Sequence, residues 1–311
     1  MESLPGALDR KAGKQGDQRS FGINGRRITR WNLSNSFADY IIYFMKKRDT
    51  RPIGIFDSGV GGLTVLRSLC RELPGERFVY FGDTARVPYG NKSKETIQRF
   101  SREIMEFLLK HDVKMVVVAC NTASSLALPV LKEEYNIPVV GVIVPGVKEA
   151  VRVSLNGRIG VIGTTSTISS GSYEKALLKI AHVYKMFPES CPLFVPLVEN
   201  GFINDDVTRR VAERYLKGLK RKGIDTLILG CTHYPIIRAV IGRVMKGVRL
   251  VDSPTAVAKE VIELVNGFKI ASGKKRTDNQ IKCFVSDDPR GFERFMRVFL
   301  GKKIRVSKAA L

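Results

Sequence analysis

No apolar run in this chain approaches the ~18 residues needed to span a bilayer, and residues 1–20 lack the apolar core of a secretory signal. The expectation is a cytoplasmic protein with no membrane partner. Cysteine is sparse and unpaired in pattern: Cys70, Cys120, Cys191, Cys231 and Cys283 are odd in number, widely spaced and free of any C-x-x-C pair. That argues against a zinc site or a redox motif and leaves free thiols, most of them packing residues. Acidic residues are also in short supply, 30 against 52 Lys and Arg, for a net charge of +22. Such an excess attracts nucleic acid and other anions whatever the protein's main work. The basic residues are spread along the chain, however, without an aromatic-interleaved stripe or a nucleic-acid-binding signature. Nucleic-acid binding is therefore expected to be weak and non-specific at most.

What is present suits two moderate domains, with 311 residues of which 44% are hydrophobic. Residues 1–50 stand apart as a basic, polar extension with Gly and Asn punctuation ("GKQGDQRSFGINGRR"), expected to be disordered. Met45 heads "MKKRDTRPIGIF", and a start there gives a short basic lead into the first strand. From residue 53 onward, short apolar runs alternate with helical segments, the mark of an α/β fold with parallel sheets. The expected strands are "IGIF", "FVYF", "MVVVA", "PVVGVI", "IGVI", "LFVPLV", "TLIL" and "VRLV". "SKETIQRFSREIMEFLLK", "SSLALPVLKEEY", "GSYEKALLKIAHVY" and "DVTRRVAERYLKGLK" carry helical spacing. His111 and His182 fall in such helical stretches and need no functional reading.

Two motifs recur in the same order. "IGIFDSG" (53–59) is echoed by "IGVIGTT" (159–165), and "VVVACNT" (116–122) by "LILGCTH" (227–233). Two similar α/β halves explain this, each ending one strand in a cysteine followed by hydroxyl or amide residues. Taken singly, either cysteine is a small buried hydrophobe at a strand end. If the halves face each other, Cys120 and Cys231 approach one ligand from opposite sides. One base that removes a proton from one face of a carbon and a second that returns one to the other is what racemisation requires. His233, two residues beyond Cys231, shares its side in an extended segment and can exchange a proton with that thiol.

The glycine-rich "DSGVGG" could be read as a phosphate-cradling loop. It lacks the full G-x-G-x-x-G spacing and no Walker lysine with Ser/Thr follows, so a tight turn presenting Ser58 and backbone amides to a small anion explains the same residues.

"GIFDSGVGGLTVLRSL", "YFGDTARVPYGNKS", "VVACNTASS", "GVIGTTSTISSGSY", "VPLVENG" and "LGCTHYP" closely resemble the glutamate racemases of the aspartate/glutamate racemase superfamily. The likeness runs from about Pro52 to Gly301, including "CFVSDDPRGFERFMRVFLG" as a last strand and helix. The resemblance implies a pseudo-symmetric pair of three-layer α/β domains with mainly parallel sheets and the active site at their interface. The expected division is residues 51–144 with 253–311 for the first domain and 145–252 for the second. It further implies that Cys120 and Cys231 are the acid/base thiols, acting on D- and L-glutamate respectively, with Asp57 and His233 as their helpers. Asp57, Ser58, Tyr89, Gly90, Asn121, Thr122, Thr232 and His233 would bind substrate, with Thr164 and Thr167 nearby. Glu199 is either a contact for the substrate ammonium or a solvated loop carboxylate. No pyridoxal phosphate or metal is implied; a homodimer and a role in supplying D-glutamate for peptidoglycan are. The rival readings are a racemase of a related amino acid such as aspartate, a thiol hydrolase using Cys231 and His233, and a basic nucleic-acid-binding protein on a racemase fold.

Overall fold

The computed structural model describes residues 49–267, 270–272 and 281–311. The basic extension expected over 1–50 therefore lies outside the described residues except for its last two, and those are packed. Lys114 Nζ donates to the Asp49 carbonyl at 2.9 Å, and Arg77 donates to the Thr50 carbonyl.

Ten strands are described: β1 (Ile53–Asp57), β2 (Phe78–Gly82), β3 (Met115–Val118), β4 (Val139–Gly141), β5 (Arg158–Gly163), β6 (Lys185–Ser190), β7 (Thr226–Gly230), β8 (Arg249–Asp252), β9 (Ile281–Val285) and β10 (Val306–Lys308). They form two sheets, ordered β10-β9-β2-β1-β3-β4 and β6-β5-β7-β8. Every pairing is parallel. The order β2-β1-β3-β4 is repeated as β6-β5-β7-β8, so the echoed sequences occupy equivalent places: β1 matches β5 and β3 matches β7. The first sheet differs by two added strands, β9 and β10, beyond β2.

Period-2 alternation explains the three-layer build. In the first sheet Ile53, Ile55, Met115 and Val117 join one apolar cluster, and Phe56, Val116 and Val118 join another on the opposite face. In the second, Ile162, Leu227 and Leu229 face one cluster while Ile159, Val161 and Ile228 face the other. Strands buried on both faces read as continuous apolar runs, as "MVVV" and "TLIL" do. Among the described residues no helix is long and apolar enough to cross a membrane.

Three local expectations are corrected. "LFVPLV" is a helix, Phe194–Glu199, in which Phe194, Val195 and Val198 are buried on one helical face and Pro196 sits in the first turns, where its missing N–H costs little. The strand of that region is instead β6, "KMFPES". It lies at the edge of its sheet, where half-exposed polar residues and Pro188 are tolerated. His111 and His182 occupy turns just after helices Lys94–Leu109 and Ser172–Ile180, and the His111 ring stacks on Phe284 at 4.7 Å.

Far from the carboxyl ends of the strands, a buried ion pair fastens the chain after helix Ser253–Gly267. Lys114 Nζ donates to Glu76 Oε2 at 2.6 Å and to the Ile270 carbonyl at 2.7 Å, and Glu76 Oε1 accepts from the Ser272 amide at 2.8 Å.

Candidate active site

In parallel α/β sheets ligands bind beyond the carboxyl ends of the strands, and β1, β3, β5 and β7 all end against one cavity. β1 ends in Asp57, which is fully buried. Its Oδ2 accepts from the Gly59 and Gly62 amides at 3.0 and 2.9 Å, and its Oδ1 from Thr232 Oγ1 at 3.3 Å. Burial raises the Asp57 carboxyl, opposed by the His233 charge and by those hydrogen bonds. Two loop amides are thus committed to a side chain of the same turn rather than to a bound anion. The glycines serve close approach instead. A Cβ on Gly61 would lie 2.3 Å from Thr232 Oγ1 and 2.7 Å from His233 Nδ1, and one on Gly62 would lie 2.4 Å from Asp57 Cβ.

Two residues beyond β3, Cys120 leads into helix Asn121–Leu126. Its sulfur lies 3.8 Å from Ser58 Oγ. Burial, with the neighbouring Asp57 charge, pushes the Cys120 thiol up to about 12. Asn121 Oδ1 accepts from Tyr173 Oη at 2.7 Å and Ser253 Oγ at 3.3 Å, while its Nδ2 is buried without a partner. Thr122, Thr164 and Thr167 form a closed triangle of hydroxyls at 2.9 to 3.1 Å. This triangle ties the end of β3 to the end of β5.

Cys231 follows β7 directly. His233 Nδ1 lies 3.8 Å from its sulfur, and His233 Nε2 lies 3.2 Å from Glu199 Oε1. Burial alone lowers an imidazole, yet hydrogen bonds to Cys231 and Glu199 and the charges of Cys231 and Asp57 outweigh it, so His233 is pushed up to about 10. Glu199 therefore meets His233, a role that neither reading of its sequence context contained.

The remaining wall comes from the turn after β2. Tyr89 Oη donates to Asp83 Oδ2, which also accepts from Arg86 Nε at 2.7 Å, and Asp83 Oδ1 accepts from Ser286 Oγ at 2.9 Å. The Tyr89 hydroxyl proton is thereby engaged by Asp83, and Tyr89 lines the cavity. Gly90 is pressed against the β5 end: a Cβ there would lie 2.6 Å from Thr164 Cβ, and Ser166 Oγ donates to the Gly90 carbonyl at 2.8 Å.

The cavity is lined by Ser58, Tyr89, Gly90, Cys120, Asn121, Thr122, Cys231, Thr232 and His233, together with Val87, Pro88, Thr164 and Val195. Asp57 stands behind this surface, reaching it through Thr232. Thr167 is likewise one step back, behind Thr122 and Thr164. Sequence reasoning missed Asp83, Tyr173 and Ser253. Asp83 and Tyr173 carried a signal, their places in "GDTARVPYG" and "GVIGTTSTISSGSY"; Ser253 carried none.

Residues 53–261 match the family model for Asp/Glu/hydantoin racemases. The chain is 50% identical over 255 residues to a glutamate racemase of Geobacter metallireducens, covering 82% of this chain and 94% of the relative. It is 48% identical over 257 residues to one of Chlorobaculum tepidum, covering 81% and 93%. Among solved structures, a glutamate racemase of Francisella tularensis in complex with D-glutamate superposes with a TM-score of 0.78 at 37% identity, covering 85% of this chain and 98% of that one.

Proposed function

The chain belongs to the Asp/Glu/hydantoin racemase family, and from that premise we propose that its cavity interconverts L- and D-glutamate between two opposed thiols. The activity is racemisation of glutamate, the name its relatives carry over most of both chains. The observation that carries the mechanism is the placement of Cys120 and Cys231, from equivalent strands of two repeated halves, on one cavity. We read the halves as domains 51–144 with 253–311 and 145–252, a division supported by which strands each sheet contains.

In the L-to-D direction, Cys231 as thiolate takes the α-proton of L-glutamate. The Cα–H bond breaks and its electron pair spreads into the α-carboxylate. Cys120, held as a thiol at neutral pH by burial and by Asp57, then delivers its proton to the opposite face. The enzyme is left with a Cys120 thiolate and a Cys231 thiol, the form that accepts D-glutamate. Resetting it needs proton exchange at both sulfurs. His233 is placed for this at Cys231, with Glu199 behind it, and Asp57 is proposed for the corresponding part on the Cys120 side. A substrate ammonium entering beside the sulfurs offsets what burial and Asp57 cost a thiolate. Ser58, Asn121, Thr122, Thr232 and the Gly90 backbone are proposed as donors to the two carboxylates, with Tyr89 as wall. No cofactor enters this scheme. A thiol hydrolase built on Cys231 and His233 would leave Cys120 on the same cavity without a task.

From kinship we extend the proposal to a homodimer, a cytoplasmic location and a supply of D-glutamate for peptidoglycan. The basic surface is proposed to bind nucleic acid weakly and without sequence preference. Purified protein given L-glutamate and followed by circular dichroism should bring the signal to zero as the enantiomers equalise, and alanine at position 120 or 231 should abolish the decay. A flat trace with the unaltered protein, or faster decay with L-aspartate, would overturn the assignment.

A further inference from the structure

Asn121 is treated differently at its two amide ends. Its oxygen takes two hydroxyl partners, Tyr173 at 2.7 Å and Ser253 at 3.3 Å, from helices that begin at residues 172 and 253. Its nitrogen is buried and unpartnered beside a cavity that Asn121 lines. Leaving a buried donor unpaired is costly, and native structures rarely keep one without a use.

Tyr173 is itself almost fully buried, so its phenol O–H needs an acceptor, and Asn121 Oδ1 supplies it. Turning the amide over would remove that acceptor and aim an oxygen at the incoming anion. Tyr173 is also seated against the second thiol turn. A Cβ on Gly230, the residue before Cys231, would come within 3.2 Å of the Tyr173 hydroxyl and ring. One phenol thus bonds the residue after the first thiol and fills the space beside the residue before the second.

We propose that Tyr173 and Ser253 are positioning residues that lock the Asn121 carboxamide with its N–H₂ toward the cavity, as a fixed donor to the substrate α-carboxylate. That carboxylate gains charge when the Cα–H electron pair moves into it and the proton goes to sulfur, so an oriented donor strengthens in the transition state. The inference rests on the racemase reading above.

A double-mutant cycle on Tyr173→Phe and Asn121→Ala tests it, with glutamate racemisation as the assay. Asn121→Ala should lower kcat by roughly 10²-fold, the scale for loss of an oriented donor. Tyr173→Phe alone should lower kcat by about tenfold and kcat/KM by somewhat more, the pattern of a donor that already meets the bound carboxylate and strengthens in the transition state. In the Asn121→Ala background Tyr173→Phe should do nothing further, because the group it orients is gone. The limbs of the pH profile should stay in place, since neither hydroxyl relays a proton. Ser253→Ala should show a smaller loss with the same non-additivity, and it carries the test if Tyr173→Phe fails to fold. Losses that multiply independently, or a Tyr173→Phe enzyme indistinguishable from the original, would overturn the inference. Absence of racemisation in the unaltered protein would instead overturn the reading beneath it.

Discussion

Gly61→Ala adds one carbon at the point where the β1 turn meets the second thiol's loop. The added Cβ would sit 2.3 Å from Thr232 Oγ1, 2.7 Å from His233 Nδ1 and 2.9 Å from Thr232 Cβ. Ordinary contacts lie near 3.5 Å, so something must retreat by about 1 Å. Gly61 has no positive φ, so backbone strain does not confuse the result. The neighbours are poorly placed to give way: Thr232 is hydrogen-bonded to Asp57, and His233 is held between Cys231 and Glu199. The His233–Cys231 contact is already 3.8 Å long. A misplacement of about 1 Å typically costs ~10²-fold in rate, and overpacking costs about 1–3 kcal/mol. Circular dichroism on both enantiomers should show kcat/KM reduced by roughly 10²-fold. The loss must be equal in the two directions, because enantiomers have an equilibrium constant of one. Gly59→Ala in the same turn is the comparison, since its Cβ would make an ordinary 3.7 Å contact with Val87. A Gly61→Ala enzyme as active as Gly59→Ala would refute the reasoning.

Glu199→Gln weakens the hydrogen-bond acceptor that helps hold His233 at about 10. A group raised on folding stabilises the fold most fully below its ordinary range, near 6.5 for imidazole, and that contribution fades as pH rises through the folded value. The unaltered protein should therefore lose Tm between about pH 7 and 10 through this group. The Glu199→Gln variant should lose less across that window and show an alkaline limb of activity at lower pH; superimposable Tm and activity profiles would contradict the assignment. Lys114→Met strands Glu76 in the interior and should cost about 3–5 kcal/mol in urea unfolding. Adding Glu76→Leu should restore much of it, and a Lys114→Met protein of unaltered stability would show the pair to be idle.

The repeat and the two thiols were legible because each motif ends a strand, and strand ends in parallel sheets converge on one site. "ACNT" and "GCTH" therefore pointed to a common cavity without knowledge of the helices between them. Local apolar runs were less informative. "LFVPLV" has the composition of a buried strand and the burial of a helix, and six residues cannot separate the two. "KMFPES" hid a strand because edge position, not composition, makes it one. Support for the site was the least legible part. Asn121 meets Tyr173 and Ser253 across 52 and 132 residues, with no periodicity linking them. Glu199 was visible as an acid near the right motif, but only packing could assign it to His233. The glycines of "DSGVGG" were legible as a tight turn, but only the space around Gly61 and Gly62 showed what they avoid.

The two-base mechanism is tested most directly by racemising L-glutamate in D₂O and weighing the early products. Solvent exchange places deuterium on Cys120 before it acts, while the proton removed from L-glutamate goes to Cys231 on the other face. At low conversion the D-glutamate should be almost fully deuterated at Cα, and the remaining L-glutamate should still carry its original proton. D-glutamate that retains a substantial share of the substrate's α-proton would mean that one base serves both faces, and would contradict the assignment of Cys120 and Cys231 as an opposed pair.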